Sequence, residues 1–201
     1  MSERSVEIER ETKETTIRGA LSLDGQQRFS VDTGVGFLDH MLGALAFHAG
    51  WDLELRCNGD LEVDDHHTAE DCALALGDAI SRALGDRAGI ARFGWAYAPL
   101  DEALARAVVD LSGRPWPEVD LGLKREMLGT LASENLSHVV ASLAMSAKAA
   151  IHVDVIRGDN DHHRAEAAFK ALALALRSAA APAPGAGVPS TKGTLKGDGR
   201  S

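Results

Sequence analysis

Two stretches of the chain repeat one spacing of metal-ligating side chains. They are DDHHTAED in the first half and NDHHRAEA in the second, and each holds adjacent histidines followed by a glutamate. Residues four apart lie on the same face of a helix. We therefore predict that His66 with Glu70, and His162 with Glu166, each hold one divalent ion, as other helical metal sites do. Because the chain has only eight histidines, coincidence is a poor explanation for two copies.

The second histidine of each pair points in another direction. His67 and His163 lie about one hundred degrees around the helix from their neighbours, so they more naturally reach a second ion. A longer repeat aligns His40 with His138. With these two, the candidates are six histidines and two glutamates, enough for two metal sites, and the repeat requires that exchanging the two halves of the chain turns one site into the other. One partition that obeys this symmetry is His66, Glu70, His138 and His163 for one ion, and His40, His67, His162 and Glu166 for the other. The pattern is compatible both with sites inside one chain and with sites shared between subunits.

The ligand types restrict the choice of metal. Mixed nitrogen and oxygen ligands suit manganese, iron, cobalt, nickel or zinc. Four protein ligands that leave room for a substrate favour a six-coordinate ion such as Mn²⁺ over tetrahedral Zn²⁺. Because a ligating imidazole must be neutral, metal affinity is expected to fall as the pH drops through about 6.5. The two histidines outside the repeat, His48 and His152, are assigned to packing or to support of the ligands.

The elements that must position these residues also occur twice. Segment 21–34 aligns with 108–122, and DHMLGALAFHAGWDLEL aligns with SHVVASLAMSAKAAIHVDV after an insertion around KREMLGTLASEN. The hydrophobic patterns predict the order β-β-α-β-α in each half, with Ile17–Leu23 and Phe29–Val31 forming a hairpin. We expect an internally duplicated α+β fold with sheets packed against helices. The predicted parts are a first half-repeat at 1–101, a second at 102–181 and a tail at 182–201.

The composition narrows the classes of partner. A net charge of −9 and a pI of about 5.3 argue against a nucleic-acid or anionic-membrane binder, which needs a basic face. The start, MSERSVEIERE, lacks an apolar signal core, and the most apolar helical stretch carries Lys170 and Arg177, so no membrane span is expected. Cys57 and Cys72 form no CxxC pair and indicate no disulfide framework, which favours a cytoplasmic protein.

Several motifs together resemble one enzyme family. They are FLDHM, DDHHTAED, ALGD, RFG, LDEALARAVVDLSGRP, NDHHRAEAAFKALALALR and PSTKG, and they follow the family's order over nearly the whole chain. The family is imidazoleglycerol-phosphate dehydratase, of histidine biosynthesis, for which the paired HHxxE segments are highly specific. Departures are small: PLDE stands where PMDE is usual, and no departure removes a candidate ligand.

The resemblance implies a reaction and an assembly. Family members dehydrate D-erythro-imidazole-glycerol phosphate to imidazole-acetol phosphate, use two Mn²⁺ per active site, and form homo-oligomers, 24-mers built from trimers, with sites at subunit interfaces. Their duplicated fold is akin to the second domain of ribosomal protein S5. When both substrate ring nitrogens bind metal, an imidazolate is expected to expel the hydroxyl through a diazafulvene-like intermediate. Such a route needs no nicotinamide or flavin.

The resemblance also implies roles for individual residues. Glu14 matches the family's catalytic glutamate, which serves as general base or proton shuttle. The family's phosphate-binding positions fall on Arg92, Arg114, Lys170, Ser190 and Lys192. We expect the segment Ser190–Gly193 to become ordered over bound substrate as a lid.

Two other functions explain parts of the pattern. A binuclear metallohydrolase would attack an ester or amide with a metal-bound hydroxide, but that chemistry commonly uses carboxylate-rich sites instead of three histidines per ion. A metal-storage or metal-sensing protein would leave the phosphate-type cations and PSTKG unexplained. An assay of Mn²⁺-loaded protein with imidazole-glycerol phosphate separates all three.

Overall fold

The two halves of the chain build the same series of six elements, to which the second half adds one short hairpin. The structure, a computed structural model, describes residues 4–183, 185, 187 and 190. The first half contains β1 (Ser5–Glu11), β2 (Thr15–Ser22), β3 (Phe29–Asp32), α1 (Gly36–Ala49), β4 (Asp52–Gly59) and α2 (His66–Leu84). The second contains β5 (Phe93–Leu100), β6 (Ala103–Asp110), β7 (Trp116–Asp120), β8 (Met127–Leu128), β9 (Leu131–Ala132), α3 (Ser133–Ala147), β10 (Ala150–Arg157) and α4 (Asp161–Ala179). The α+β class is confirmed.

One face of each main sheet is buried against helices. Along β2, Ile17 and Leu21 are buried whereas Arg18 is exposed, as a half-buried strand requires. Helices α1 and α2 pack on the first sheet, and α3 and α4 pack on the second. The core is mostly leucine and alanine, with Trp51 and Phe169 among its largest buried side chains. Within the described ranges, no helix is both long and apolar enough to cross a membrane.

Both main sheets have four strands in the same spatial order. The orders are β1-β2-β4-β3 and β5-β6-β10-β7, and the last pair of each sheet is parallel. The predicted hairpin of Ile17–Leu23 with Phe29–Val31 is wrong, because β4 lies between those two strands. Helix α1 connects β3 to β4 as a crossover, which is how parallel neighbours are joined. The hairpin of the first half is β1 with β2.

In its main sheet, each half carries one strand more than the predicted five-element module. The additional strands are β1 and β5, which pair antiparallel with β2 and β6. Strand β5 therefore belongs to the second sheet, although it lies within the predicted half-repeat 1–101. The boundary between the halves falls between α2 and β5, because strand pairing and not sequence alignment decides which sheet a strand joins. The short hairpin of β8 and β9 occupies the insertion that separates the aligned segments.

A close contact between β5 and α4 offers a test of the packing. A Cβ on Gly94 would lie 2.0 Å from the Ala175 carbonyl oxygen and 2.6 Å from the Ala179 nitrogen, both backbone atoms of α4. Gly94→Ala should therefore lower the free energy of unfolding by about 3 kcal/mol, the upper part of the usual range for overpacking. Urea unfolding measures the change. Gly36→Ala is the control, since a Cβ there meets nothing within 4 Å; equal stability of both variants would contradict this packing.

Candidate metal centre

The histidine pairs stand on the first turns of α2 and α4. The His66 amide donates to Asp64 Oδ1 and the His162 amide to Asn160 Oδ1, each at 2.9 Å. These side chains satisfy amide groups that have no partner within the helix. The same hydrogen bond therefore begins both helices, and the two histidine pairs occupy equivalent positions at the helix starts.

The first cluster consists of His66, Glu70 and His138. Helix α2 supplies the first two from one face, and α3, which packs against α2, supplies the third. His138 Nε2 lies 3.1 Å from Glu70 Oε1, and the rings of His66 and His138 stack with centroids 4.7 Å apart. One ligand atom from each residue lies within 4.8 Å of the others. Two imidazoles and a carboxylate at this spacing can hold one divalent ion.

The second cluster consists of His40, Glu166 and His162. His40 Nε2 and His162 Nε2 lie 3.1 and 3.2 Å from Glu166 Oε2, and the two rings are 5.5 Å apart. Helix α1 supplies His40, and α4, which packs against α1, supplies the other two. Among the residues that the structure describes, these two clusters are the groups of three such side chains with ligand atoms within 4.8 Å. Each cluster draws ligands from both halves of the chain.

Within one chain, the fourth histidine of each predicted ligand set lies outside the cluster that it was predicted to complete. His67 Nδ1 is 3.0 Å from Asp60 Oδ2, and its Nε2 is 3.8 Å from Glu14 Oε1. His163 Nδ1 is 2.8 Å from Glu102 Oε2. Among the described residues of one chain, neither histidine belongs to a cluster of three such ligands. The structure thus brings together three of the four ligands of each hypothesised set and leaves these two in matching carboxylate-supported positions.

The neighbouring carboxylates change how these imidazoles titrate. The Asp60 hydrogen bond raises the pKa of His67, and the Glu102 hydrogen bond raises the pKa of His163. The Asn160 backbone amide first, and His163 next, lower the pKa of Glu102 to about 2. A carboxylate on Nδ1 keeps that nitrogen protonated, so Nε2 is the free ligand atom when the imidazole is neutral.

Lys170, which the resemblance assigns to phosphate binding, lies at the second cluster. Its Nζ is 2.6 Å from Glu166 Oε1, and both side chains are largely buried. Burial by itself would raise the pKa of Glu166, but hydrogen bonds from Lys170 and His40 outweigh it and lower that pKa to about 2. Glu166 is therefore ionised at neutral pH, with one oxygen toward the histidines and the other toward Lys170.

Three of the other predicted phosphate-binding residues belong to the described part of the chain, and the fourth does not. Arg92 donates from two nitrogens to the carboxylate of Asp110, at 2.7 and 3.0 Å. Arg114 is exposed in the connection between β6 and β7. Ser190 is half-buried, and Lys192 lies outside the described residues. Lys170 thus contacts the second cluster through Glu166.

Glu14 lies in the turn between β1 and β2, and α2 holds that turn. Thr12 Oγ1 accepts the amides of Glu14 and Thr15 at 3.1 and 3.0 Å. The buried carboxylate of Asp71, on α2, accepts from the Thr15 hydroxyl and from two nitrogens of Arg10. The helix that carries the first cluster thereby also fixes the turn that presents Glu14.

Asp71→Asn tests this link. The substitution removes the charge that binds Arg10, so we expect about 1–3 kcal/mol of lost stability. Because the turn shifts, we also expect kcat to fall about tenfold or more while the metal content stays unchanged. Urea unfolding, steady-state kinetics and elemental analysis measure the three quantities. Asp78→Asn on the exposed side of α2 is the control and should change little; an unchanged kcat in Asp71→Asn would contradict the link.

Sequence reasoning missed four supporting residues: Asp60, Asp71, Glu102 and Asn135. Two had a visible signal, because Asp71 directly follows an HHxxE segment and Glu102 ends the PLDE motif. Asn135 Oδ1 lies 3.0 Å from His66 Nδ1, and Asp60 bonds His67. Nothing in the sequence marks these two, since each reaches its histidine only through the tertiary fold.

The fold and the site define a class of internally duplicated α+β proteins in which both halves share two histidine–glutamate clusters. A family model for imidazoleglycerol-phosphate dehydratase matches residues 33–176. The imidazoleglycerol-phosphate dehydratase of Trichoderma harzianum is 54% identical over 87% of this chain and 95% of its own. That of Neurospora crassa is 55% identical over 92% and 93%. The chain belongs to the imidazoleglycerol-phosphate dehydratase family, and it is a hydro-lyase.

A solved structure agrees with this placement. The imidazoleglycerol-phosphate dehydratase of Staphylococcus aureus superposes with a TM-score of 0.79 at 36% identity. The match covers 88% of this chain and 99% of that one. The fold similarity therefore extends over both halves and not over one repeat alone.

Proposed function

We propose that this chain converts D-erythro-imidazole-glycerol phosphate to imidazole-acetol phosphate and water in L-histidine biosynthesis, with two Mn²⁺ per active site. The observation that carries the proposal is the pair of clusters, each with two imidazoles and one carboxylate within 4.8 Å. An imidazole substrate has two ring nitrogens, so a centre with two ions can bind both. The names of the relatives support the same reaction.

The donor atoms of the clusters fit the proposed ions. Each cluster offers two nitrogens and one oxygen, and a fourth protein ligand still leaves positions for substrate on a six-coordinate ion. Held by the two clusters, the ions would act as Lewis acids on the substrate ring nitrogens and would stabilise the negative charge of the deprotonated ring, whose electrons are needed to expel the hydroxyl. The contact from Asn135 Oδ1 to His66 Nδ1 holds that ring with Nε2 free to bind metal.

The fourth ligands are proposed to come from a neighbouring copy of the chain. Within the described part of the chain, neither His67 nor His163 joins a cluster, yet each has a carboxylate on Nδ1, which is one of the usual partners of a metal-binding histidine. In this proposal, a neighbouring chain supplies His163 to the first cluster and His67 to the second. Each ion then has the four ligands of the predicted partition. The protein is then a homo-oligomer, for which we expect the 24-mer built from trimers. Native mass spectrometry measures the assembly.

Proton transfer is proposed to fall to Glu14. Its side chain is half-exposed, and Oε1 lies 3.8 Å from His67 Nε2, the atom that would bind metal. At that distance from a proposed metal ligand, the carboxylate would be within reach of the carbon-bound proton that dehydration must remove. The hydrogen bonds of the β1–β2 turn hold it there.

Five residues are proposed to bind the substrate phosphate. The chain carries a net charge of −9, so it must concentrate cations locally to bind a phosphate. The proposed set is Arg92, Arg114, Lys170, Ser190 and Lys192. We place the protein in the cytoplasm, without a nucleic-acid or membrane partner.

One assay tests the function. Mn²⁺-loaded protein is incubated with imidazole-glycerol phosphate, and the acetol product is followed by mass spectrometry. We expect one product with the mass of the substrate less one water. A binuclear metallohydrolase would instead release phosphate, and a storage or sensing protein would leave the substrate unchanged, so either result would contradict the proposal.

Removal of the chain from Gly187 onward tests the proposed lid. The deletion takes away Ser190 and Lys192, and loss of a charge-assisted bond to phosphate should raise KM about tenfold or more. Steady-state kinetics measure the change. A chain ended after Gly193 keeps PSTKG and should retain the full-length KM; an unchanged KM in the longer deletion would remove the tail from the site.

A further inference from the structure

The repeat makes the two clusters alike in their ligands but unlike in the residues beside those ligands. Three residues before the cluster histidine, α3 has Asn135 where α1 has Phe37. Four residues after the cluster glutamate, α4 has Lys170 where α2 has Leu74. An amide replaces a phenyl ring at one pair of positions, and a cation replaces an alkyl group at the other. Both exchanges bear on how strongly a cluster holds a cation.

Asn135 prepares a ligand of the first cluster. Its side chain is buried, with only 3% exposed, and its Oδ1 lies 3.0 Å from His66 Nδ1. Because an amide oxygen can only accept, Nδ1 must carry the proton and Nε2 keeps its lone pair for a metal. Such a partner fixes both the tautomer and the orientation of a ligating ring. The first cluster therefore has one histidine already set for binding.

Phe37 occupies the same place in the second cluster. Its ring packs edge-to-face against His162, with centroids 5.2 Å apart, and lies 6.1 Å from His40. A phenyl ring restricts the position of an imidazole, but it has no oxygen to accept the Nδ1 proton. Phe37 therefore packs against His162 but does not select which ring nitrogen of His162 carries the proton.

Lys170 places a positive charge on the second cluster. Its ammonium is 2.6 Å from Glu166 Oε1, in an environment where the two side chains are only 19% and 14% exposed. A divalent ion on the other oxygen of Glu166 must bind against that charge, and low exposure leaves the repulsion poorly screened. At the first cluster the corresponding position holds the uncharged Leu74, and Glu70 is 37% exposed.

The fourth histidines do not separate the two sites. Asp60 supports His67, and Glu102 supports His163, so each has a carboxylate on Nδ1. The sites therefore differ at two pairs of positions. Asn135 beside the first cluster corresponds to Phe37 beside the second, and Leu74 beside the first corresponds to Lys170 beside the second.

We propose that the two clusters bind their ions with unequal affinity, the first cluster tightly and the second weakly, so that the first fills before the second. The inference rests on the proposed function, because it takes both clusters to be divalent-metal sites. Asn135 and Lys170 act as positioning and charge-setting residues for the ions. Neither role requires the substrate to be present.

Titration of Mn²⁺ into metal-stripped full-length protein tests the inference. Calorimetry gives the binding classes, and electron paramagnetic resonance counts the free Mn²⁺. We expect two classes of one ion per chain, with affinities that differ by about ten- to a hundredfold, the range that partners of metal ligands contribute. His138→Ala should remove the tight class, and His40→Ala should remove the weak one.

Variants of Asn135 and Lys170 test whether these two residues cause the difference in metal affinity. Asn135→Leu should weaken the tight class about tenfold or more, and Asn135→Asp, which keeps an acceptor, should restore it. The paired exchange of Leu74→Lys with Lys170→Leu should bring the two classes together or reverse them. Arg177→Leu removes an exposed cation from the same helix as Lys170 and should leave both classes unchanged.

Each contrary outcome has a distinct meaning. Two equal classes in the unaltered protein, or a tight class that survives His138→Ala, would overturn the inference while the dehydratase assay still tests the reaction on its own. Fewer than two ions per chain would overturn the proposed two-ion centre itself, and the inference with it. Loss of the acetol product with two unequal classes retained would overturn the reaction and leave the inequality standing.

Discussion

Glu14→Gln is expected to lower kcat by about 10²- to 10⁴-fold, the usual contribution of a general acid or base. An amide has nearly the size of a carboxylate but cannot take up a proton, so the turn and its hydrogen bonds should stay in place. The metal content should remain that of the unaltered protein, and KM should change little. Steady-state kinetics together with elemental analysis separate the loss of proton transfer from a loss of metal.

Glu62→Gln is the matched control for this prediction. Glu62 is exposed and lines the same surface cavity as Glu14, so its replacement tests a change of charge at that place. We expect kcat within about twofold of the unaltered protein, since removal of an exposed charge away from bonded partners has small effects. Full activity in Glu14→Gln, or an equal loss in both variants, would reject a proton-transfer role for Glu14.

His138→Ala and His40→Ala should each cost one of the two bound ions, and in different clusters. Each removes one of the two imidazoles that a cluster draws from its chain. Even partners of metal ligands contribute about 10- to 100-fold to affinity or activity, so loss of a ligand itself should lower kcat by at least about a hundredfold. Metal counting gives the stoichiometry, and kinetics give the activity.

The double variant and a third histidine complete the experiment. His40→Ala combined with His138→Ala should hold neither ion, because the two changes fall in different clusters. His152→Ala is the control: this side chain is exposed on β10 and belongs to neither cluster. If both single variants emptied the same site, or if either kept two ions per chain, the assignment of ligands to the clusters would be wrong.

The local part of the candidate site could be predicted from the sequence. Helix pitch brings residues four apart onto one face, so the pairing of His66 with Glu70, and of His162 with Glu166, needed no knowledge of the fold. The duplication was visible for a similar reason, since it is written as two copies of one pattern. The α+β class followed from the order of strand and helix patterns, and the structure confirms it.

Strand pairing and support of the ligands could not be predicted in the same way. The hairpin prediction was wrong because strands that are adjacent in the sequence were assumed to be adjacent in the sheet. In the structure, β4, which follows α1 in the chain, lies between β2 and β3. The amide of Asn135 and the carboxylate of Asp60 reach their histidines across different elements. No short-range pattern encodes such contacts.

The sequence by itself determined which ligand types this protein has, how they are spaced on their helices, and that they occur twice. Only the tertiary structure decided that α2 packs on α3 and α1 on α4, so that His138 completes the first cluster and His40 the second. It also decided that His67 and His163 stand apart from the clusters of their own chain. The physical reason is range: the pitch of a helix is set by bonds between near neighbours, while the packing of helices depends on side chains far apart in the sequence.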